Sequence, residues 1–338
     1  MPRADYEEMK NKFGEYIRTW MDRKKERLDE LITEDVKVSF SIAQTEDSEE
    51  YKGLAGIRNF IETFPKTDVF HPAIYNFVCR IHEGEAQQYA QIPCVALNYV
   101  DGQDEMDSFY FTAMSCNHWH KEKDGWKMDS MKMDLEIHYG NLKDYFAETW
   151  YFGDPVAHDT ENTRVPCIQG EVDSPWLVIP EAEDVLTEAE KVMENGAFYS
   201  FGVDHIYFQH SIDSFADQFG VYARYGEREG IQDLMSERKY KRQKDRYWVH
   251  PVRYRQIRID GDWCCTTFYR VTGYKQRNRE YVFTRENANT EHMCQLCYKE
   301  LVKENGRWKT AYERFDLGLY EVGNYTEQLY GDSLVCIE

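Results

Sequence analysis

Residues 116–139, CNHWHKEKDGWKMDSMKMDLEIHY, and residues 297–321, CYKELVKENGRWKTAYERFDLGLYE, are two versions of one pattern. Each runs from a cysteine through a β-like stretch into a polar turn, and then to a tryptophan with an aspartate eight positions on: Trp126 to Asp134, and Trp308 to Asp316. Two further blocks recur in the same order. GLAGIRNF from Gly53 answers EREGIQDL from Glu227, and FHPAIYNFVCRIHEGEA from Phe70 answers VHPVRYRQIRIDGDW from Val249. The offset between copies grows from 174 (Gly56 to Gly230) through 179 (His71 to His250) to 182 at the tryptophans. Small insertions explain that drift, and a duplicated module is the reading that accounts for all three blocks.

Periodicity gives the module its content. Tyr6, Met9, Phe13, Tyr16, Ile17 and Trp20 recur every three or four residues, the spacing of an amphipathic helix with one buried stripe. A second helix carries Leu28, Leu31 and Ile32, and a third carries Leu54, Ile57, Phe60, Ile61 and Phe64, which Pro65 helps to stop. Long segments rich in aromatic and β-branched residues follow, AIYNFVCRI, AQQYAQIPCVALNYV, MDSFYFTAMSCNHWH and WKMDSMKMDLEIHY, separated by turn signals such as Asp101-Gly102 and Asp124-Gly125. Three helices ahead of a strand meander predict an α+β fold, two tandem cone-shaped modules each built as a curved antiparallel sheet with three N-terminal helices. The expected domains are 4–140 and 183–325, joined by a proline-bearing linker over 141–182 laid over the surface, with a C-terminal tail at 326–338.

Composition narrows the function classes. The 338 residues suffice for two cores, and 42% hydrophobic with 15% aromatic residues is too rich for a disordered chain. No apolar run approaches the roughly 20 residues that span a bilayer. The N-terminal MPRADYEEMK has no apolar signal core, so a cytoplasmic protein with reduced thiols is expected. A net charge of -20 disfavours nucleic acid and anionic membrane as partners. The local exception is the cluster Arg238, Lys239, Lys241, Arg242, Lys244 and Arg246, either a solvated face or a device that steers an anionic substrate. Cys294 and Cys297 with Cys264 and Cys265 form no zinc-ligand spacing with a second CxxC, and ordinary buried thiols are expected. His118 and His120 face one side of a strand, but no carboxylate set accompanies them, so no metal is expected. No phosphate cradle or nucleophile elbow is present, and no cofactor is implied.

Helix-helix-strand-helix-strands with the recurring Trp…Asp on the last long strand resembles the NTF2-like fold, and within it the SnoaL-like group, over both modules. That superfamily holds dehydratases, isomerases, cyclases, oxygenase small subunits and proteins without catalysis. The nearest resemblance is to the bile-acid 7α-dehydratase and scytalone dehydratase families, which implies a tyrosine and an aspartate on the first helix and a histidine after the third. These positions fall on Tyr16, Asp22 and His71 in the first copy, and on Tyr199, Asp204 and His250 in the second. The first copy spaces its helical pair one residue wider and has Phe40 and Ala96 where the family has a strand tyrosine and a later acid. In the second, Tyr222 is one residue out of register and the later acid falls near Gly273.

The chemistry so implied is a cofactor-independent dehydration or isomerisation of a hydrophobic, ring-bearing, steroid- or polyketide-like molecule. Elimination beside a carbonyl needs a base, a donor for the enolate oxygen and an acid for the leaving hydroxyl. Histidine would serve as base, aspartate as its orienting partner and tyrosine as donor. The alternatives are a binding or assembly protein built as an intramolecular pseudo-dimer, or one working copy beside a structural one. Asp134 and Asp316 are further candidates for a carboxylate base, and Tyr16, Tyr199, Asp22 and Asp204 can equally be core and cap residues.

Overall fold

The computed structural model describes residues 2–40, 52–142, 145–146, 167–217, 221–224, 227–230, 249–270, 282–325, 329–330 and 335–337. The chain divides into two compact units, Met1–Val185 with Val282–Asn289, and Leu186–Tyr281 with Thr290–Glu338. Among the described residues no helix is long and apolar enough to cross a membrane.

The first unit opens with α1 (Pro2–Asp22), whose buried face is the stripe read from the sequence, Tyr6, Met9, Phe13, Tyr16, Ile17 and Trp20. A 3-10 turn (Lys25–Arg27) and α2 (Leu28–Leu31) lead into β1 (Ile32–Phe40). Helix α3 (Gly53–Thr63) starts on Gly53 at φ +63, where an added Cβ would meet the Glu34 carbonyl at 3.0 Å. The strands β2 (Val69–Pro72), β3 (Tyr75–His82), β4 (Glu85–Asn98), β5 (Asp107–Glu122) and β6 (Gly125–Tyr139) follow. They pair antiparallel, but β1 joins β6 in parallel, so the curved sheet is mixed and not purely antiparallel as expected. A parallel pair needs a long crossover, and the whole meander between β1 and β6 supplies it.

Rings fill the interior of this unit. Trp20 lies 5.8, 5.3, 5.3 and 6.3 Å from Phe60, Phe64, Phe70 and Phe111, and Phe40 stacks on Phe60 at 4.5 Å. The described part of the expected surface linker does not lie loosely over the surface. Short helices α4 (Gly170–Asp173) and α5 (Pro175–Val178) cover the other face of the sheet, with Ile168, Asp173 and Ser174 buried. Asp173 pairs with Lys132 at 2.8 Å, and its carbonyl accepts from Cys116 and Gln87. The late segment 282–289 completes the unit: Met106 N–H donates to the Phe283 carbonyl at 2.8 Å, and the Arg285 guanidinium stands 4.5 Å over the Tyr99 ring.

The second unit begins with α6 (Glu188–Asp204), started by a capping box in which Thr187 and Glu190 satisfy each other's backbone N–H groups. Helix α7 (Phe208–Asp213) packs against it. The close approach requires Gly202, where a Cβ would sit 2.5 Å from Ser211 Oγ. The strands are β7 (Val221–Arg224), β8 (Glu227–Gly230), β9 (Val252–Asp260), β10 (Trp263–Arg270), β11 (Thr290–Glu304), β12 (Arg307–Asn324) and β13 (Val335–Ile337), in the order β13-β9-β10-β11-β12-β7-β8. Strands β7 and β13 join in parallel, so this sheet too is mixed. Glu227–Gly230, expected to open a third helix by analogy with Gly53, is instead a strand paired with β7. The Asn305-Gly306 turn between β11 and β12 has both residues at positive φ, the type I′ geometry that matches strand twist.

Several contacts recur position for position. The Trp126 indole donates to Asp5 at 3.2 Å and the Trp308 indole to Glu188 at 2.9 Å; Lys121 and Lys303 reach the same carboxylates at 2.6 and 2.8 Å. Lys12 and Asn195, each about two helical turns further along the same face, donate to the carbonyls of Trp126 and Trp308 at 2.7 and 3.0 Å. The last hairpin carries a bulge at matching places, between His118 and Trp119 and between Glu300 and Leu301. The repeated tryptophan thus docks the first helix on the last hairpin in each unit.

Candidate functional site

In the second unit, Asp204 ends α6, and His250 lies in irregular chain just before β9. His250 N–H donates to Asp204 Oδ2 at 2.9 Å, and its Nδ1 lies 2.5 Å from Oδ1. One helical turn back, Ser200 Oγ donates to the His250 carbonyl at 3.1 Å. Positions 200 and 204 share a helix face, so the histidine segment is pinned to α6 at two levels. Both side chains of the Asp204–His250 pair are almost fully buried, at 0% and 1% exposure. A carboxylate against Nδ1 holds the proton there and leaves Nε2 as the nitrogen with basic character. This tautomer is assigned from the contact.

Tyr199, one residue before Ser200, is buried and meets the His250 ring edge-on, with centroids 6.3 Å apart and planes at 80°. The Lys299 ammonium stands 5.8 Å over the Tyr199 ring and 5.5 Å over Phe268. Lys299 lies 3.2 Å from the Glu313 carboxylate, which Arg270 approaches at 3.8 Å, and Arg270 Nε donates to Gln295 at 3.1 Å. All four are buried. The residues predicted in the second copy therefore converge, with a charged group beside them that the sequence reading did not single out. Its signal was a lysine on the buried register of β11, between Cys297 and Leu301.

The first unit does not assemble the same set. Tyr16 is wholly buried and donates to Met131 Sδ at 3.4 Å, and burial pushes its phenol up. Asp22 is exposed and pairs with Lys24 at 3.2 Å. The extra residue between Tyr16 and Asp22 turns the carboxylate about 100° further round the helix than Asp204. Met21 stands where the second unit has Asp204. His71 lies within β2, beside Phe70, whose ring joins the Trp20 cluster, so the histidine faces the opposite side of the strand. There Nε2 meets Asn289 Oδ1 at 3.0 Å, and burial lowers its pKa against the opposing bonds to Asn289 and Ala288.

Other candidates resolve plainly. Both oxygens of Asp134 accept backbone N–H groups, from Cys167 at 2.8 Å and Ile168 at 3.1 Å, so this carboxylate anchors the covering segment; Asp316 is exposed. His118 and His120 face the same way and share Asp129, at 2.7 and 3.4 Å, with Glu85 and Glu122 on their other nitrogens. The Asp129 bond holds His118 above its ordinary pKa. Among the described residues no group of three or more His, Cys, Asp or Glu has a metal-binding arrangement, and Cys264, Cys265, Cys294 and Cys297 are free thiols. Tyr222 lies on β7 alongside Glu313. The basic cluster from Arg238 to Arg246 and Gly273 lie outside the described residues.

No family model and no curated protein matches the sequence. Among solved structures, the chain is similar to an NTF2-like protein with a cystatin-like fold from Novosphingobium aromaticivorans, at 15% identity and TM-score 0.32, covering 44% of this chain and 90% of that one. It is similar to a putative scytalone dehydratase from the same organism, at 16% identity and TM-score 0.31, covering 40% and 85%. It is also similar to the hexachlorocyclohexane dehydrochlorinase LinA-type3 from Novosphingobium barchaimii, at 14% identity and TM-score 0.33, covering 42% and 90%.

Proposed function

We propose that this chain is a tandem of two NTF2-like modules in which the second is a cofactor-independent lyase, a dehydratase or a closely related isomerase, acting on a hydrophobic ring-bearing molecule. The observation that carries the reading is the buried Asp204–His250 pair, with Nδ1 held at 2.5 Å. The repeated docking of the tryptophan, from Asp5 in one unit and Glu188 in the other, supports the tandem.

His250 Nε2 removes the proton beside a substrate carbonyl, and Asp204 steadies the imidazolium that forms. Tyr199 supplies a hydrogen bond to the developing enolate. The leaving hydroxyl then departs as water with the proton that His250 returns. The supply of 25 Tyr and 18 Phe favours a ring-shaped substrate. In the first module the aromatic cluster around Trp20 occupies the interior and Tyr16, Asp22 and His71 point apart, which favours a structural role for that copy.

Incubation with a panel of β-hydroxy-ketone and β-hydroxy-thioester steroids and polyketides, read by mass spectrometry for loss of water, tests this. The expected result is turnover that His250→Asn reduces by about 10²–10⁴-fold. Turnover unchanged in His250→Asn would remove the histidine mechanism.

A further inference from the structure

Lys299 and Glu313 face each other directly across β11 and β12. The corresponding pair in the first unit is Asn117 and Met131, likewise opposed across β5 and β6, two residues from the matching bulge. There Asn117 is satisfied by Gln88 at 2.6 Å and Ser115 at 2.9 Å, and Met131 takes the Tyr16 hydroxyl. This hairpin therefore folds with an amide and a thioether at the two positions, and the fold does not demand charge there. Burying an ammonium and a carboxylate costs several kcal/mol per ion, which their attraction roughly recovers at best. Stability does not explain Lys299 and Glu313.

Their surroundings suggest another account. The Lys299 nitrogen lies against the Glu313 carboxylate and over the faces of Tyr199 and Phe268. Glu313 is shared with Arg270, so one carboxylate serves two cations. Lys299 addresses the face of the same Tyr199 ring that His250 meets edge-on. A base and a cation thus flank one aromatic ring inside one unit.

We propose that Lys299 is the anion-receiving group of this site, so that the second unit takes ligands through an oxygen that is, or becomes, negatively charged: an enolate in turnover, a phenolate in a bound analogue. This rests on the lyase reading above and adds the charge the ligand must carry. As His250 takes the proton from carbon, the C–H electron pair forms the C=C bond and the carbonyl pair moves onto oxygen. The O⁻ is received by the Lys299 ammonium, which keeps its own proton. The pair then returns to reform the carbonyl and expel hydroxide, which His250 protonates to water. Glu313 and Arg270 position the ammonium.

The test uses the full chain and 4-nitrophenol, whose phenol and phenolate forms absorb at different wavelengths. Wild-type protein is expected to bind it as phenolate at a pH where the free probe is mostly phenol, shifting its apparent ionisation about tenfold toward the anion, or one pKa unit. Lys299→Met abolishes the shift and Lys299→Arg keeps part of it. The double variant Lys299→Asn with Glu313→Met installs the first unit's own pair, and is expected to fold and bind the probe as the neutral phenol. No binding by wild type, binding as the phenol, or a shift that persists in Lys299→Met overturns the proposal. Phenolate bound without turnover of any panel substrate would sink the lyase reading and leave this one standing. Turnover with no phenolate shift would do the reverse.

Discussion

Asp204 holds His250 through both carboxylate oxygens, one on the ring and one on the backbone N–H, and the two bonds have different consequences when lost. Asp204→Asn keeps an oxygen for the backbone but presents an NH₂ to one of the two sites. The ring then takes the other tautomer, and kcat falls by about 10²–10⁴-fold while the fold persists. Asp204→Ala removes both acceptors from a buried pair and costs the second unit roughly 3–5 kcal/mol, read by denaturant unfolding. Asp22→Asn, at an exposed position beside Lys24, stays within about 0.5 kcal/mol of wild type. The meeting of Asp204 and His250 was legible because residue type, helical spacing and the histidine's place in the recurring VHP segment coincide. Lys299 and Glu313 were not. In HMCQLCYKELV both faces of β11 carry apolar residues, Met293, Cys297 and Leu301 on one and Cys294, Leu296 and Tyr298 on the other. Alternation alone does not say which face looks onto α6.

At the level of elements, α6 is fixed at its start by the capping box of Thr187 and Glu190. Thr187→Ala removes half of the capping box and is expected to lower stability by about 1 kcal/mol in thermal melts. Glu188, in the first turn, accepts from Lys303 and the Trp308 indole and also meets Lys191. Lys303 chiefly, with Lys191 and Trp308, holds its carboxyl down to about 2 from 4.5, against partial burial. A carboxyl lowered on folding stabilises above its unfolded pKa, and that contribution is lost as pH falls from about 4.5 toward 2. Glu188 is substantially exposed, so solvent limits the effect to about 1 kcal/mol or less. Glu188→Gln is expected to flatten the stability of the second unit across that window, followed by hydrogen exchange of the α6 amides; an unchanged slope would remove Glu188 from the docking contact. The helices of the first unit were readable from apolar spacing. The parallel joins of β1, β7 and β13 were not, because strand direction depends on where the chain returns. EREG carried a helical pattern by analogy and became a strand through its pairing with β7, a tertiary override of local preference.

For the molecule as a whole, the two units answer one sequence pattern with different interiors: rings around Trp20 in the first, and charge around Tyr199 in the second. His71→Asn is therefore expected to leave turnover within about twofold of wild type while His250→Asn lowers it by about 10²–10⁴-fold. The reverse result would move the chemistry to the first unit. The recurring blocks were visible in the sequence, but this divergence was not, since it depends on whether the strand or the helix captures the histidine of the FHP and VHP segments. One arrangement bears on how the chain is made. The first unit closes with residues 282–289, which meet Met106, Tyr99 and His71 long after Val185 has been synthesised. At about 5–20 residues per second, a ribosome emits Asn289 some 5–20 s after Val185. During that interval the nascent first unit exists without its final piece, and most of the second unit's helices and early strands emerge before the first is finished. Vectorial synthesis thus leaves the first unit open until the chain has passed residue 289, at which point the second unit still lacks Thr290–Glu338. Chains stalled before residue 282 should be cut by protease near Met106, and chains stalled well past 289 should resist.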